Sequence, residues 1–233
     1  MSEMKIMGLQ KVTLLDFPGK VACTVFFGGC NLRCPFCHNA SLVLRPGENP
    51  AFFEEEIYAF LKKRQGILDG VAITGGEPLL QHGLREFILA VRELGFAVKL
   101  DTNGSYPDRL AALIDEGLLD YVAMDVKNSR EKYAQTVGIK GFDTAPIEQS
   151  IALLRASGVP FELRTTVVRE LHSAEDIEDM GVWLAGDHAH YLQGFIDSGD
   201  LIGTGLSGYD KNQMQDLVNV LKAYVPKAEL RGV

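Results

Sequence analysis

Thiols are scarce in this chain, four cysteines in 233 residues, and tryptophan occurs once. So thin a supply excludes a secreted scaffold stapled by disulfides, which needs cysteine at high density. Long apolar runs are lacking too: the cleanest, VACTVFF, is far shorter than the roughly 20 residues of a membrane-spanning helix. No membrane partner is expected. The N-terminal MSEMKIMGLQKVTLLDFPGK has no apolar core of the signal-peptide kind, and the reading is a cytoplasmic protein. Lys and Arg form no block, and the formal net charge is −8. A nucleic-acid partner is therefore not expected, because phosphates would repel the chain. A GKS or GKT phosphate loop is absent.

What cysteine there is lies almost all in one place. Cys30, Cys34 and Cys37 fall within eight residues of GGCNLRCPFCHN (28–39). In a reducing compartment such a cluster reads as metal-binding or catalytic. Thiolates take soft metals, and two arrangements fit. One is a closed structural zinc site of Cys30, Cys34, Cys37 and His38. The other is an iron–sulfur cluster with three protein ligands where most have four, which leaves one iron open to a small molecule. Cys23, in the middle of an apolar run, reads as a buried small residue.

Runs rich in β-branched and aromatic residues recur at 21–27, 71–74, 96–101, 121–126, 161–168 and 190–196. Helical patterns separate most of them. Leu80, Leu84, Phe87, Ile88, Val91 and Leu94 mark one face of a helix that Gly95 stops. Ser173 and Asp176 form a capping-box-like pair, and Pro50, Pro107 and Pro146 suit a first helical turn. Strand alternating with helix about six times predicts a parallel sheet covered by helices. We read residues 1–233 as one α/β domain, an incomplete barrel, with residues 1–20 an N-terminal flap or strand pair packed on it. His172, His188 and His190 are read as surface or strand-end residues.

Ligands of parallel sheets gather at the C-terminal strand ends. There the chain places the cysteine loop, TGGEP (74–78), DTNG (101–104), MDVKN (124–128) and, within the fifth strand, Arg164. Five such features on successive strands converge on one mouth.

The loop CNLRCPFC, with GGEP, resembles the signature of the radical S-adenosylmethionine (SAM) enzymes. CHN after the third cysteine, together with FPGK, TGGEPLLQ, KLDTNG and DYVAMDVKN, is similar to the activating enzymes of glycyl-radical proteins. Within these it is most similar to the activating proteins of anaerobic ribonucleoside-triphosphate reductase. The likeness extends from about residue 8 to residue 196. It implies an incomplete (β/α)6 parallel barrel of the radical SAM type. It implies a [4Fe–4S] cluster on Cys30, Cys34 and Cys37, and a partner glycyl-radical enzyme. It also implies an electron donor of the flavodoxin or ferredoxin type.

Several residues acquire roles by that resemblance. Phe36, with Cys37 and His38 beside it, stands at the position that flanks the adenine of SAM. Gly75, Gly76 and Glu77 stand at the loop that binds the SAM amino group. GGEP is remote in sequence from the cysteines, so a bulky residue at Gly76 is expected to weaken SAM binding and leave iron intact. Asp101, Thr102 and Asp125 match positions that hold a monovalent cation in some relatives, and Asn103 belongs to the same turn. Lys127 and Arg164 are read either as partners of the SAM carboxylate and ribose or as a sheet-end salt bridge. Gln193 is a further candidate on the sixth strand. Two other readings stay open: a small-molecule radical SAM enzyme resembling 7-carboxy-7-deazaguanine synthase, and a non-catalytic zinc or electron-transfer module.

Overall fold

The computed structural model describes residues 4–47 and 52–232; Pro50 lies outside them. β1 (Ile6–Thr13) comes from the N-terminal extension and runs antiparallel to β2 (Ala22–Phe27). β3 (Gly70–Gly75), β4 (Ala97–Thr102), β5 (Tyr121–Asp125), β6 (Phe161–Val167) and β7 (Ala189–Gly194) fall where the apolar runs predict. β8 (Ala228–Arg231) does not. Its AELR alternates too briefly to stand out from a turn, and only pairing with β7 makes it a strand. Strand order follows chain order from β1 to β8, and β2–β3, β3–β4, β6–β7 and β7–β8 pair parallel. This is the parallel α/β architecture expected of an incomplete barrel.

The helices are α1 (Ala40–Leu44), α2 (Glu54–Lys62), α3 (Leu84–Glu93), α4 (Pro107–Asp115), α5 (Tyr133–Thr136), α6 (Ala145–Ser157), α7 (Ala174–Leu184) and α8 (Lys211–Lys222). Pro107 opens α4 as its missing N–H allows, and Ser173 with Asp176 closes a capping box on α7. Leu80 is not part of α3. It ends a separate 3-10 turn, Pro78–Leu80, because Gln81 is extended (ψ 126°). No helix among the described residues is long and apolar enough to cross a membrane.

The described residues form two compact units. The first is built from the chain up to Asn31, Ser41–Ala123 and Ile147–Pro160; the second from Leu32–Ala40, Met124–Pro146 and the chain from Phe161 on. In the first unit, register puts Cys23, Val71 and Val98, and likewise Val25, Ile73 and Leu100, on one face of the sheet. Phe27 on that face meets Phe87 of α3 edge-on at 5.6 Å. All are buried, each contributing about 1.5–3 kcal/mol where a large side chain is covered. Cys23 is therefore core, and burial pushes its thiol up to about 12. The opposite face carries small and polar residues: Ala22, Gly70 and Ala97, then Thr24, Ala72 and Lys99. Phe17 packs there, so close that a Cβ on Gly70 would lie 2.9 Å from its ring.

In the second unit the three histidines correct the surface reading: His172, His188 and His190 are all buried. His190 Nε2 meets Thr165 Oγ1 at 2.9 Å. His190 shares the buried face of β7 with Leu192, whereas His172 and His188 lie just outside regular elements, where no periodicity marks burial.

Candidate functional site

In the first unit the end of β2 leads into the cysteine loop, and the end of β3 packs on it backbone to backbone. Gly76 N donates to Phe27 O at 2.8 Å and Glu77 N to Gly29 O at 2.9 Å. Such contact leaves no room for side chains. A Cβ on Gly75, whose φ is +119°, would lie 2.2 Å from Phe27 O, and one on Gly76 would lie 2.0 Å from Gly29 O and 3.3 Å from Cys30 Cβ. This corrects the expectation that Gly76 acts apart from the cysteines. The turn that GGEP forms is the bed on which Cys30 is laid.

Glu77 ties the same loops together from inside. Fully buried, it accepts at Oε1 from Leu79 N (3.0 Å) and Thr102 Oγ1 (2.8 Å), and at Oε2 from Asn103 N (2.7 Å). The carboxylate thus caps the 3-10 turn and clamps DTNG to GGEP. Asn103 then turns its amide toward the cysteine loop: Nδ2 lies 2.9 Å from Asn31 Oδ1 and 3.7 Å from Cys30 Sγ. Its Oδ1 accepts from Ser105 N at 2.9 Å, so the Asn-Gly turn is also the ordinary local turn that its sequence suggests. Asp101 is paired with Lys99, a lysine only 2% exposed.

The second unit holds the rest of the cysteine loop. Arg33 N donates to Val137 O at 2.9 Å and Gly203 N to Pro35 O at 2.7 Å. Gly138 (φ +68°) approaches so closely that a Cβ would lie 2.4 Å from Arg33 O. Phe36 is buried edge-on against His172 (6.4 Å), and His38 stacks on Phe195 at 5.6 Å. Burial raises the Cys37 thiol, against the lowering effect of the Asn39 backbone N–H and the Lys127 ammonium.

Asp125, at the end of β5, receives Arg164 Nε and Lys127 Nζ, each at 2.9 Å. Burial alone would raise its carboxyl, but the two cations outweigh that and hold it well below the usual carboxylate range. Of the two readings of Lys127 and Arg164, the salt bridge is present. Gln193 stands near the end of β7, in register with Thr166 and Arg231.

Three supports in this region were not singled out from sequence. His172 accepts from Val168 N at Nδ1 (3.1 Å), which places its proton on Nε2, 2.8 Å from Lys127 O. Burial keeps this ring's pKa below the ordinary histidine value. Asn128, fully buried, donates to Thr136 Oγ1 (2.8 Å) and Leu171 O (2.9 Å). The long stretch 195–210, FIDSGDLIGTGLSGYD, supplies Phe195 and Gly203 to the cysteine loop. A structureless run of that length is itself a functional signal.

The donor set fits an iron–sulfur cluster. None of the four cysteines is in a disulfide, and an amide donor already faces the Cys30 sulfur, as outer-shell donors do at such clusters. Among the described residues no three His, Cys, Asp or Glu side chains surround a single ion position. The monovalent-cation reading of Asp101, Thr102 and Asp125 fits poorly. Asp101 and Asp125 carry lysine and arginine cations, and Thr102 Oγ1 is spent on Glu77 and Gly104 N.

The strand order and the parallel pairing place the chain among parallel α/β proteins, a class whose ligands gather at the C-terminal strand ends. Residues 24–183 match the Radical SAM superfamily, and the chain belongs to that superfamily. Membership implies a [4Fe–4S] cluster and SAM. A protein of Methanocaldococcus jannaschii, provisionally named a glycyl-radical enzyme activating enzyme, is 32% identical over 98% of this chain and 96% of its own length. The 7-carboxy-7-deazaguanine synthase of Methanopyrus kandleri is 41% identical over 48% of this chain and 51% of its own length. Streptococcus suis SuiB bound to precursor peptide SuiA shares the fold at a TM-score of 0.65 and 15% identity, over 88% of this chain and 47% of that one.

Proposed function

We propose that this chain activates a glycyl-radical enzyme, and that the enzyme is an anaerobic ribonucleoside-triphosphate reductase. The observation that carries the reading is the end-to-end similarity to the Methanocaldococcus activating enzyme. The DTNG and CHN phrases support the same branch.

In this reading Cys30, Cys34 and Cys37 hold the cluster. When bound, it supplies the electron, drawn from a flavodoxin- or ferredoxin-type donor, that splits SAM into methionine and a 5′-deoxyadenosyl radical. The chain's residues bind and orient. Backbone carbonyls of the GGEP turn would accept the SAM ammonium, since the Glu77 carboxylate is bonded to Leu79 N, Thr102 Oγ1 and Asn103 N. Asp125 holds Lys127 and Arg164 in fixed positions from which cationic groups face the SAM carboxylate and ribose. Phe36 gives an apolar wall toward the adenine, with His38 and Gln193 lining the same side.

The radical so formed would take one hydrogen atom from a glycine Cα of the partner, leaving 5′-deoxyadenosine and a glycyl radical. So reactive a species is selective only through the position of its target. Glycine suits close approach because it has no side chain.

The test is to mix reduced, iron-loaded protein with SAM and the reductase without oxygen, and to record electron paramagnetic resonance. A glycyl doublet on the reductase is expected, abolished when the radical glycine is changed to alanine. A doublet on a different glycyl-radical enzyme alone would replace the named partner. The local 41% identity to a 7-carboxy-7-deazaguanine synthase favours a second reading. Consumption of a free small molecule, with no protein radical, would establish that one instead.

A further inference from the structure

The cation that the family resemblance implies meets carboxylates already neutralised by the chain's own side chains. In the first unit Lys99 is 2% exposed and its ammonium is paired with Asp101. The pairing is written in the strand: residues two apart in β4 share one face. Register sets Lys99 beside Ala72, and Ala72 beside Thr24, so small neighbours leave space for a long side chain. A lysine this buried needs an opposite charge beside it. A second cation on the same carboxylate would lie close to the ammonium, where like charges repel. In the second unit, taken by itself, Asp125 carries both Lys127 and Arg164. That group has no net negative charge to offer an ion.

We propose that Lys99 is a built-in counter-cation: a positioning residue that fixes Asp101 and lets the chain bind SAM without any monovalent metal ion. The proposal rests on reading this as a SAM site, and the experiment separates the two.

The iron-loaded protein is titrated with SAM by calorimetry in potassium, sodium and tetramethylammonium chloride at equal ionic strength. The parent protein should show the same affinity in all of them, within about twofold. Lys99→Met should bind about tenfold more weakly in tetramethylammonium and recover in potassium or sodium, while Lys99→Arg stays indifferent to the salt. Sodium NMR linewidths, read without SAM, should show saturable sodium binding in Lys99→Met and none in the parent.

Saturable sodium binding by the parent, or a parent affinity that rises about tenfold with potassium, overturns the proposal. So does a folded, iron-loaded Lys99→Met that no salt rescues. Should Lys99→Met fail to fold, the parent measurements decide alone. SAM binding absent in every salt would sink the SAM reading and leave the sodium measurement to judge Lys99.

Discussion

Gly76 shows how much a single missing side chain can decide. Its Cβ would lie 2.0 Å from Gly29 O and 3.3 Å from Cys30 Cβ. A valine there must therefore move the backbone that carries a proposed cluster ligand. We expect Gly76→Val, reconstituted without oxygen, to lose most of its iron as well as its SAM binding. Cys23→Ala should keep its iron, because Cys23 lies in the sheet core with its thiol pushed up to about 12. Iron content by colorimetric assay checks both. Full iron in Gly76→Val would mean that the loops can part without moving Cys30. From sequence the glycine pair signals only a turn and close approach; that the approaching partner is the cysteine loop is a matter of register between β2 and β3.

Among elements, the junction of the 3-10 turn with the end of β4 depends on one carboxylate. Glu77 accepts from Leu79 N, Thr102 Oγ1 and Asn103 N, with no exposure to water. Hydrogen bonds to a charged group contribute about 1.5–3 kcal/mol, and an unsatisfied buried donor costs a similar amount. Glu77→Gln turns an amide N–H₂ toward a donor. It should destabilise the fold by about 1.5–3 kcal/mol in urea denaturation and weaken SAM binding with it. Unchanged stability would show that the carboxylate is not the clamp. From sequence, the GGEP phrase marks a ligand loop without saying whether its carbonyls or Glu77 face the ligand. What turned Glu77 inward is the 3-10 turn, which the helical periodicity of Leu80 with Leu84 concealed.

At the scale of the molecule, buried titratable groups set the response to acid. Burial drops the His190 pKa from 6.5 to about 3 and lowers that of His172 as well. Between pH 6.5 and about 3 the unfolded chain takes up a proton that the folded His190 imidazole refuses, so stability falls as pH falls. The loss from His190 is about 1.4 kcal/mol per pH unit in that window, and the lowered pKa of His172 acts in the same direction. Asp125, held below the usual carboxylate range against its burial by Arg164 and Lys127, adds a later loss. Its contribution is complete above the unfolded value of 3.8 and goes as pH falls through the lowered folded one. His190→Gln should therefore flatten the stability–pH curve between 6.5 and 4 in denaturant titrations. A slope equal to the parent's would place the titrating group elsewhere.

The sequence by itself determined the six central strands, the capping of α7 and the grouping of chemistry at the C-terminal strand ends. It determined the superfamily as well. These rest on local periodicity, turn chemistry and a short cysteine spacing, all of which are complete within a few neighbouring residues. Only the tertiary structure decided that Gly76 supports Cys30, that Glu77 faces inward onto Thr102 and Asn103, and that three histidines are buried. Each of these depends on which strand lies beside which and in what register, and pairing between distant segments leaves no mark on either segment alone.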